Sequence, residues 1–288
     1  MTSLELIRLA VSASIFLTVL GIGMSAPWRD AALVLREPGL LIRSLVSMFV
    51  VMPVVVAVVA QVSNLPDDVK IALVALAIAP VPPILPKREL KAGGRSGYAV
   101  GLLVVGALIA IAYVPLAVEV LDRIFERHGV VSSLAIGKIV LVTILAPMLI
   151  GMAIREWAPK AAAKGAGPTL TTGMILLVLA CIPVLLAAWR DIVSLFGNGT
   201  VLIMVLIAVV GLFVGHTLGG PHPDDRIVLA LSTASRHPAV ALAVATSGVM
   251  KTRSELGAVL LYVVVSILVS LPYVMWRRRR AAAPRGAS

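Results

Sequence analysis

The stretch RIVLALSTASRHPAVALAVATSG, residues 226–248, sets Ser232, Thr233, Ser235, Arg236, His237 and Pro238 in the middle of an otherwise apolar run. An arginine ten residues into such a run would lie near mid-membrane, where insertion scales put its cost at roughly 2.5–3.5 kcal/mol. The same run holds no acidic residue to pair with it. The guanidinium could hydrogen-bond unwound carbonyls, fill a cation position, or bind the carboxylate of a solute. His237 could titrate near neutral pH or serve as a neutral hydrogen-bond bridge. The three hydroxyls could line a site or bond their own backbone.

A second run, KIALVALAIAPVPPILPKREL, carries Pro80, Pro82, Pro83 and Pro86 within seven positions. Proline lacks the backbone donor and blocks the preceding helical turn, so both runs are predicted to break inside the membrane. A broken span leaves amides and carbonyls without helical partners in a low-dielectric slab. These ends double as ligands: half-helix N-termini attract anions, and C-terminal ends attract cations. Crossing two such helices would concentrate the groups at one spot. Lys87 and Arg88, which follow the proline cluster, read as an interfacial anchor.

The elements that must position these residues follow from composition. Of 288 residues, 60% are hydrophobic and 14% charged, with mean hydropathy +1.05. A spanning helix uses ~20 residues, so this apolar stock suits roughly nine spans. It excludes a soluble enzyme, a disordered chain and a fibre. The formal charge of +11 suggests cytoplasmic loops and headgroup anchoring rather than nucleic acid. The single cysteine, Cys181, lies in an apolar run, so no intramolecular disulfide or thiolate metal site is expected. No phosphate loop, metal cluster or nucleophile triad is legible, and we expect neither an enzyme nor a cofactor.

The apolar runs fall at about 4–25, 40–61, 69–86, 98–118, 131–153, 168–189, 200–218, 226–249 and 254–276. The first is read as a retained helix rather than a signal peptide. With nine helices and the N-terminus outside, 16 of the 25 lysines and arginines fall inside and 8 outside, with Arg236 mid-span. That bias predicts an integral plasma- or inner-membrane protein with a cytoplasmic C-terminus, anchored by Arg277–Arg280. The triplet PDD precedes both proline-bearing runs, at Pro66–Asp68 and Pro223–Asp225, an offset of 157. Copies five helices apart are inverted in the membrane. The predicted fold is therefore an all-α polytopic membrane protein of about nine helices, with inverted repeats and two crossed broken helices.

GIGMS, followed by Arg36-Glu37-Pro38-Gly39 and a span that includes Pro53, resembles the opening of the bile acid:sodium symporter family. PDDRIVLALSTASRHPAVALAVA resembles that family's second crossing helix, and Ala92-Gly93-Gly94 to Val100 the segment after its first. The resemblance implies a panel domain, 1–39 and 131–196, and a core domain. The core comprises 40–130, with the first broken helix at 69–86, and 197–276, with the second at 226–249. A cytoplasmic tail would occupy 277–288. Transport in the family moves core against panel and is usually coupled to sodium.

The departures from the family matter more. Its second crossing helix carries a glutamate, then a glutamine and an asparagine four and five positions later, which help to bind sodium. Those positions here hold Ser232, Arg236 and His237, and the Ser-Asn pair of its first crossing helix falls near Leu85–Lys87, where neither residue occurs. A fixed guanidinium repels sodium. The expectation is a secondary transporter of a small, anionic organic solute in contact with membrane lipid, with sodium coupling absent or altered. A proton-coupled or facilitated carrier of the same fold, and a non-transporting membrane sensor, are the competing readings.

Overall fold

The computed structural model describes residues 3–25, 34–82, 85–124, 141–187, 189–197, 199–238, 241 and 253–282. Among these the regular structure is helical, with no strand. In chain order the helices are α1 (Ser3–Ser25), α2 (Pro38–Leu45), α3 (Met52–Val62), α4 (Asp67–Ile78), α5 (Leu85–Lys91) and α6 (Ser96–Ile124). There follow α7 (Ala146–Trp157), α8 (Pro159–Ala187), α9 (Trp189–Ser194), α10 (Thr200–Leu218), α11 (Pro223–Ala234) and α12 (Arg253–Ala282). Five stretches among the described residues are long and apolar enough to cross a membrane: Pro38–Val62, Ser96–Ala117, Pro159–Ala180, Thr200–Leu218 and Gly257–Arg280. Leu9–Ser25 is a shorter apolar helix. Exposed rows such as Val50, Val54, Val58 and Val62 give these helices an apolar outer face suited to lipid.

Prolines shape the backbone. A π-helical turn, Val46–Val51, joins α2 to α3 just ahead of Pro53, and another, Leu141–Leu145, leads into α7 just ahead of Pro147. A proline ring clashes with the carbonyl four residues back, and a widened turn relieves the clash. Helices α4 and α11 both open at a PDD triplet, which puts two aspartates in the first turn against the positive helix start. Both are 12 residues long and stop on an extended residue, Ala79 (ψ 144°) and Ser235 (ψ 138°). The run at 226–248 is thus described only through its break, and 239–240 and 242–252 lie outside the described residues, as does Pro83.

Packing sorts the helices into two neighbourhoods. α1 lies mainly on α7 and α8. Gly23 meets Gly151 of α7 backbone to backbone, and Gly173 of α8 sits over Ser14 and Thr18 of α1. Without a hydrophobic drive between helices in lipid, such small-residue contacts supply close van der Waals packing. Elsewhere Gly211 and Gly215 of α10 and Gly219 just past its end face Ala234, Leu229–Ala230 and Arg226, so α11 rests directly on their backbone. α4 is buried in one apolar cluster with residues of α3, α10 and α12, and α11 in a second with Met48, Phe49, Tyr98 and Leu102.

At its C-terminal end α12 runs on through Arg277–Arg280 to Ala282, past the expected start of the tail at 277. Arginine and alanine are good helix formers, and the cations suit the negative helix end. Arg280 also stacks over Trp276, its guanidinium carbon 4.5 Å from the ring centre.

Candidate functional site

The site is built from donors that proline has deleted. Met52 donates its N–H to the carbonyl of Ser47, five residues back. The corresponding partner for Met48 would be residue 53, which is proline and has no N–H. The Met48 carbonyl thus faces inward without a helical donor. At the end of α4 the situation repeats. Residues 82 and 83, three and four beyond Ala79, are prolines, and Pro83 also stands three beyond Pro80. A buried carbonyl left without a partner costs roughly 1–3 kcal/mol.

Arg236 and His237 supply the missing donors. Arg236 is 4% exposed, and its Nη2 donates to the Met48 carbonyl at 3.0 Å. Its Nη1 donates to the Ala79 carbonyl at 3.5 Å. The backbone N–H of His237 donates to the Pro80 carbonyl at 2.9 Å. Hence the two breaks touch, and one guanidinium bridges the π-helical turn of one element and the end of another. Tyr262 of α12 donates its hydroxyl to the Ala234 carbonyl at 3.4 Å, where α11 ends. Arg236 and Tyr262 also line a cavity of about 10 Å³, together with Met52, Leu76 and Ile207. That is about the space of one water, so an organic solute reaches the guanidinium only when the helices part.

The hydroxyls divide between two other contacts. Thr233 Oγ1 and Ser47 Oγ share a hydrogen bond of 2.8 Å. Ser232 Oγ donates to Glu89 Oε1 at 2.7 Å. Ser235, at the end of α11, is buried, and its N–H closes on the Leu231 carbonyl. Pro82 and Pro86 flank the start of α5, where the Leu85 N–H donates to the Pro82 carbonyl at 3.0 Å. Pro80, Arg236 and His237 therefore converge directly. Pro82 and Pro86 shape the chain around them, while Ser232 and Thr233 face separate partners. Pro238 follows on, half-buried.

Glu89, at 1% exposure, is the residue that sequence reasoning overlooked. Lys87, Arg88 and Lys91 surround it in the chain and make the segment read as a solvated anchor. Lys87 and Lys91 are indeed exposed, but Arg88 donates to Ser270 Oγ of α12 at 2.8 Å, and Glu89 points inward. The signal was helical phase, since an acid between outward-facing Lys87 and Lys91 can take the opposite face of one turn.

At the near end of α11 sits an ion cluster. Arg95 meets Glu37 through both terminal nitrogens, at 2.8 and 3.0 Å, and its Nε lies 2.7 Å from Asp225 Oδ1. The Arg95 hydrogen bonds hold the Glu37 carboxyl below the usual carboxylate range. Tyr98, one turn into α6, shares a 2.7 Å hydrogen bond with Ser44. Among the described residues no group of histidine, cysteine and carboxylate side chains is placed to hold a metal ion.

None of the curated proteins matches the sequence. The model of the Sodium Bile acid symporter family, by contrast, matches residues 13–214, which include the run broken at Pro80–Pro86, the Arg95 segment and most of α10, and the chain belongs to that family.

Proposed function

We propose that this membrane transporter carries a small, anionic organic solute by alternating access, without sodium at the positions its family uses. The observation that carries the reading is Arg236, a buried guanidinium bonded to the Met48 and Ala79 carbonyls at the junction of the two breaks. Backbone carbonyls of a broken helix are the groups that would otherwise coordinate a cation. With the arginine there, a second positive charge meets repulsion instead of ligands. The residues at the family's cation positions, Ser232, Arg236 and His237, do not fit sodium, and no sodium step is assigned.

Anion preference follows from the same group, because a carboxylate entering the cavity beside Arg236 meets its guanidinium. We read α1, α7 and α8 as the panel, and α2–α6 with α10–α12 as the core. The glycine-mediated packing of α1 on α7 and α8 supports that division. We read α4 and α11 as equivalent parts of inverted repeats. Their shared PDD start and equal length support it, as does the 157-residue spacing of the Arg236–Ala79 bond. The N-terminus is assigned outside on the lysine and arginine count.

Thermal unfolding of the purified protein tests the reading, with sodium, with potassium at equal ionic strength, and with a panel of organic anions. A ligand present at ~100 times its dissociation constant stabilises the folded state by about 2.7 kcal/mol. Stabilisation by an anion and not by sodium is expected, together with uptake of that anion into proteoliposomes. Saturable, sodium-specific stabilisation that survives Arg236→Ala but needs Ser232 would overturn it.

A further inference from the structure

One face of α11 is matched step by step by residues of the first half. Asp225 and Ser232 stand at i and i+7 on one face of α11, and Arg236 follows just beyond its end at the extended Ser235. Their partners are Arg95, Glu89 and the Ala79 carbonyl, in descending order along the chain. The track begins at the partly exposed Glu37–Arg95 pair and ends at the buried junction of the breaks. About 10 Å of helix rise separates Asp225 from Ser232. Tyr98 lies in that interval, with Asp225, Glu89 and Arg95 as its charged neighbours.

We propose that Glu89 is a proton-binding site of the transport cycle, held in place by the Ser232 hydroxyl. The carboxyl is almost fully buried, and one of its oxygens accepts a hydrogen bond from a hydroxyl in the other half of the molecule. A buried carboxylate needs pairing or several donors, and otherwise it takes up a proton and becomes a neutral acid. The titratable and charged groups near it are Arg88 on its own helix and Tyr98 on α6, and Tyr98 in turn has Arg95 and Asp225 as charged neighbours. Arg88 spends a terminal nitrogen on Ser270, so Glu89 does not hold that guanidinium to itself.

A proton, unlike sodium, needs no shell of oxygens, and one carboxylate oxygen with access to water suffices. The proton enters from bulk water along the polar track, binds a Glu89 carboxylate oxygen, and leaves when the Ser232–Glu89 contact opens. Because that contact joins α5 to α11, protonation acts where the two broken runs are packed together. The inference rests on the transport reading for its role in a cycle, but the proton site itself is measurable without any solute.

Infrared difference spectra of the purified protein in lipid, between about pH 5 and about pH 9, follow the C=O stretch of protonated carboxyl groups. The expected result is a band titrating above the ordinary carboxylate range, lost in Glu89→Gln and shifted in frequency in Ser232→Ala. Identical spectra for the wild type and a folded Glu89→Gln would overturn the proposal. If Glu89→Gln does not fold, Glu89→Asp replaces it, with a moved band expected and an unmoved band fatal. A pH-sensitive dye trapped in proteoliposomes then reports proton movement when organic anions are added. Proton entry with the anion, abolished in Glu89→Gln, supports the coupling. Anion uptake that moves no protons overturns the coupling and leaves the transport reading standing. A Glu89 band without uptake of any tested anion supports the proton site and counts against the transport reading.

Discussion

The backbone N–H of His237 donates to the carbonyl of Pro80 at 2.9 Å, and the neighbouring Arg236 reaches Ala79 across the same 157-residue interval that separates the two PDD triplets. The contact joins two chain breaks, one made by prolines that delete donors and the other ending at residues that supply them. Its consequence is mutual dependence. The first break leaves carbonyls that need donors, and the second places a guanidinium and a backbone amide against them.

Removal of the guanidinium should therefore destabilise the fold whatever is transported. Arg236→Ala strands the Met48 and Ala79 carbonyls in a buried site, and a loss of about 2–4 kcal/mol is expected. Arg236→Lys retains a charge but not the planar fork that reaches both carbonyls, and should fall between the two. Thermal unfolding in detergent measures the difference. An unchanged midpoint in Arg236→Ala would show that the carbonyls are satisfied in another way.

Glycine contacts give a sharper structural test, because two glycines of similar helical context differ in what a methyl group would meet. A Cβ at Gly215 runs into the Leu229 and Ala230 backbone, whereas one at Gly167 meets nothing within 4 Å. Gly215→Ala should cost about 1–3 kcal/mol by forcing α10 from α11. Gly167→Ala should be neutral or slightly stabilising, since alanine favours helix. Equal midpoints for the two variants would contradict the close approach of α10 and α11.

The Glu37–Arg95 pair predicts a pH and salt dependence of defined sign. The folded-state carboxyl titrates below its ordinary value of 4.5, so the pair stabilises the fold above that pH. The contribution is lost as pH falls through the lower, folded-state value. Both side chains are more than a third exposed, so solvent screening limits the effect to below about 1 kcal/mol. Glu37→Gln should lower the unfolding midpoint near neutral pH and low salt. The gap to the wild type should close at acid pH or in high salt, and a gap that widened with salt would rule the ion pair out as its cause.

Much of this arrangement was legible in the sequence, and the reasons it was legible are physical. Proline deletes a donor wherever it stands, so Pro80 and Pro82 announced the first break. Pro238 announced the second break in the same way, and arginine in an apolar run must find partners, so Arg236 announced a polar contact there. Neither rule says which carbonyls those partners are. Met48 became one through Pro53, in a different element, and only packing brings them together. Glu89 stayed hidden for the opposite reason, since its cationic neighbours describe the exposed side of α5 and a single turn of helix has another side. Charge marks the end of the apolar span near Trp276 and not the end of the helix, which runs on to Ala282.

The dependence of Met48 on Pro53 can be tested directly, and it separates local backbone repair from a general loss of packing. Pro53→Ala restores an N–H five residues beyond Met48, the spacing of a π-helical hydrogen bond. By itself the change has opposing effects: the carbonyl gains a competing donor, and the cause of the widened turn is removed. In the background of Arg236→Ala it has one clear effect, because the new N–H can occupy the carbonyl that the arginine abandoned. The double variant should therefore recover part of the stability lost in Arg236→Ala, with a coupling of at least about 0.5 kcal/mol, above the error of additivity for independent sites. Four unfolding midpoints under one set of conditions complete the cycle. Strict additivity would mean that Arg236 stabilises the junction through Ala79 and the cavity lining alone, and that the proline in α3 has no part in placing the guanidinium.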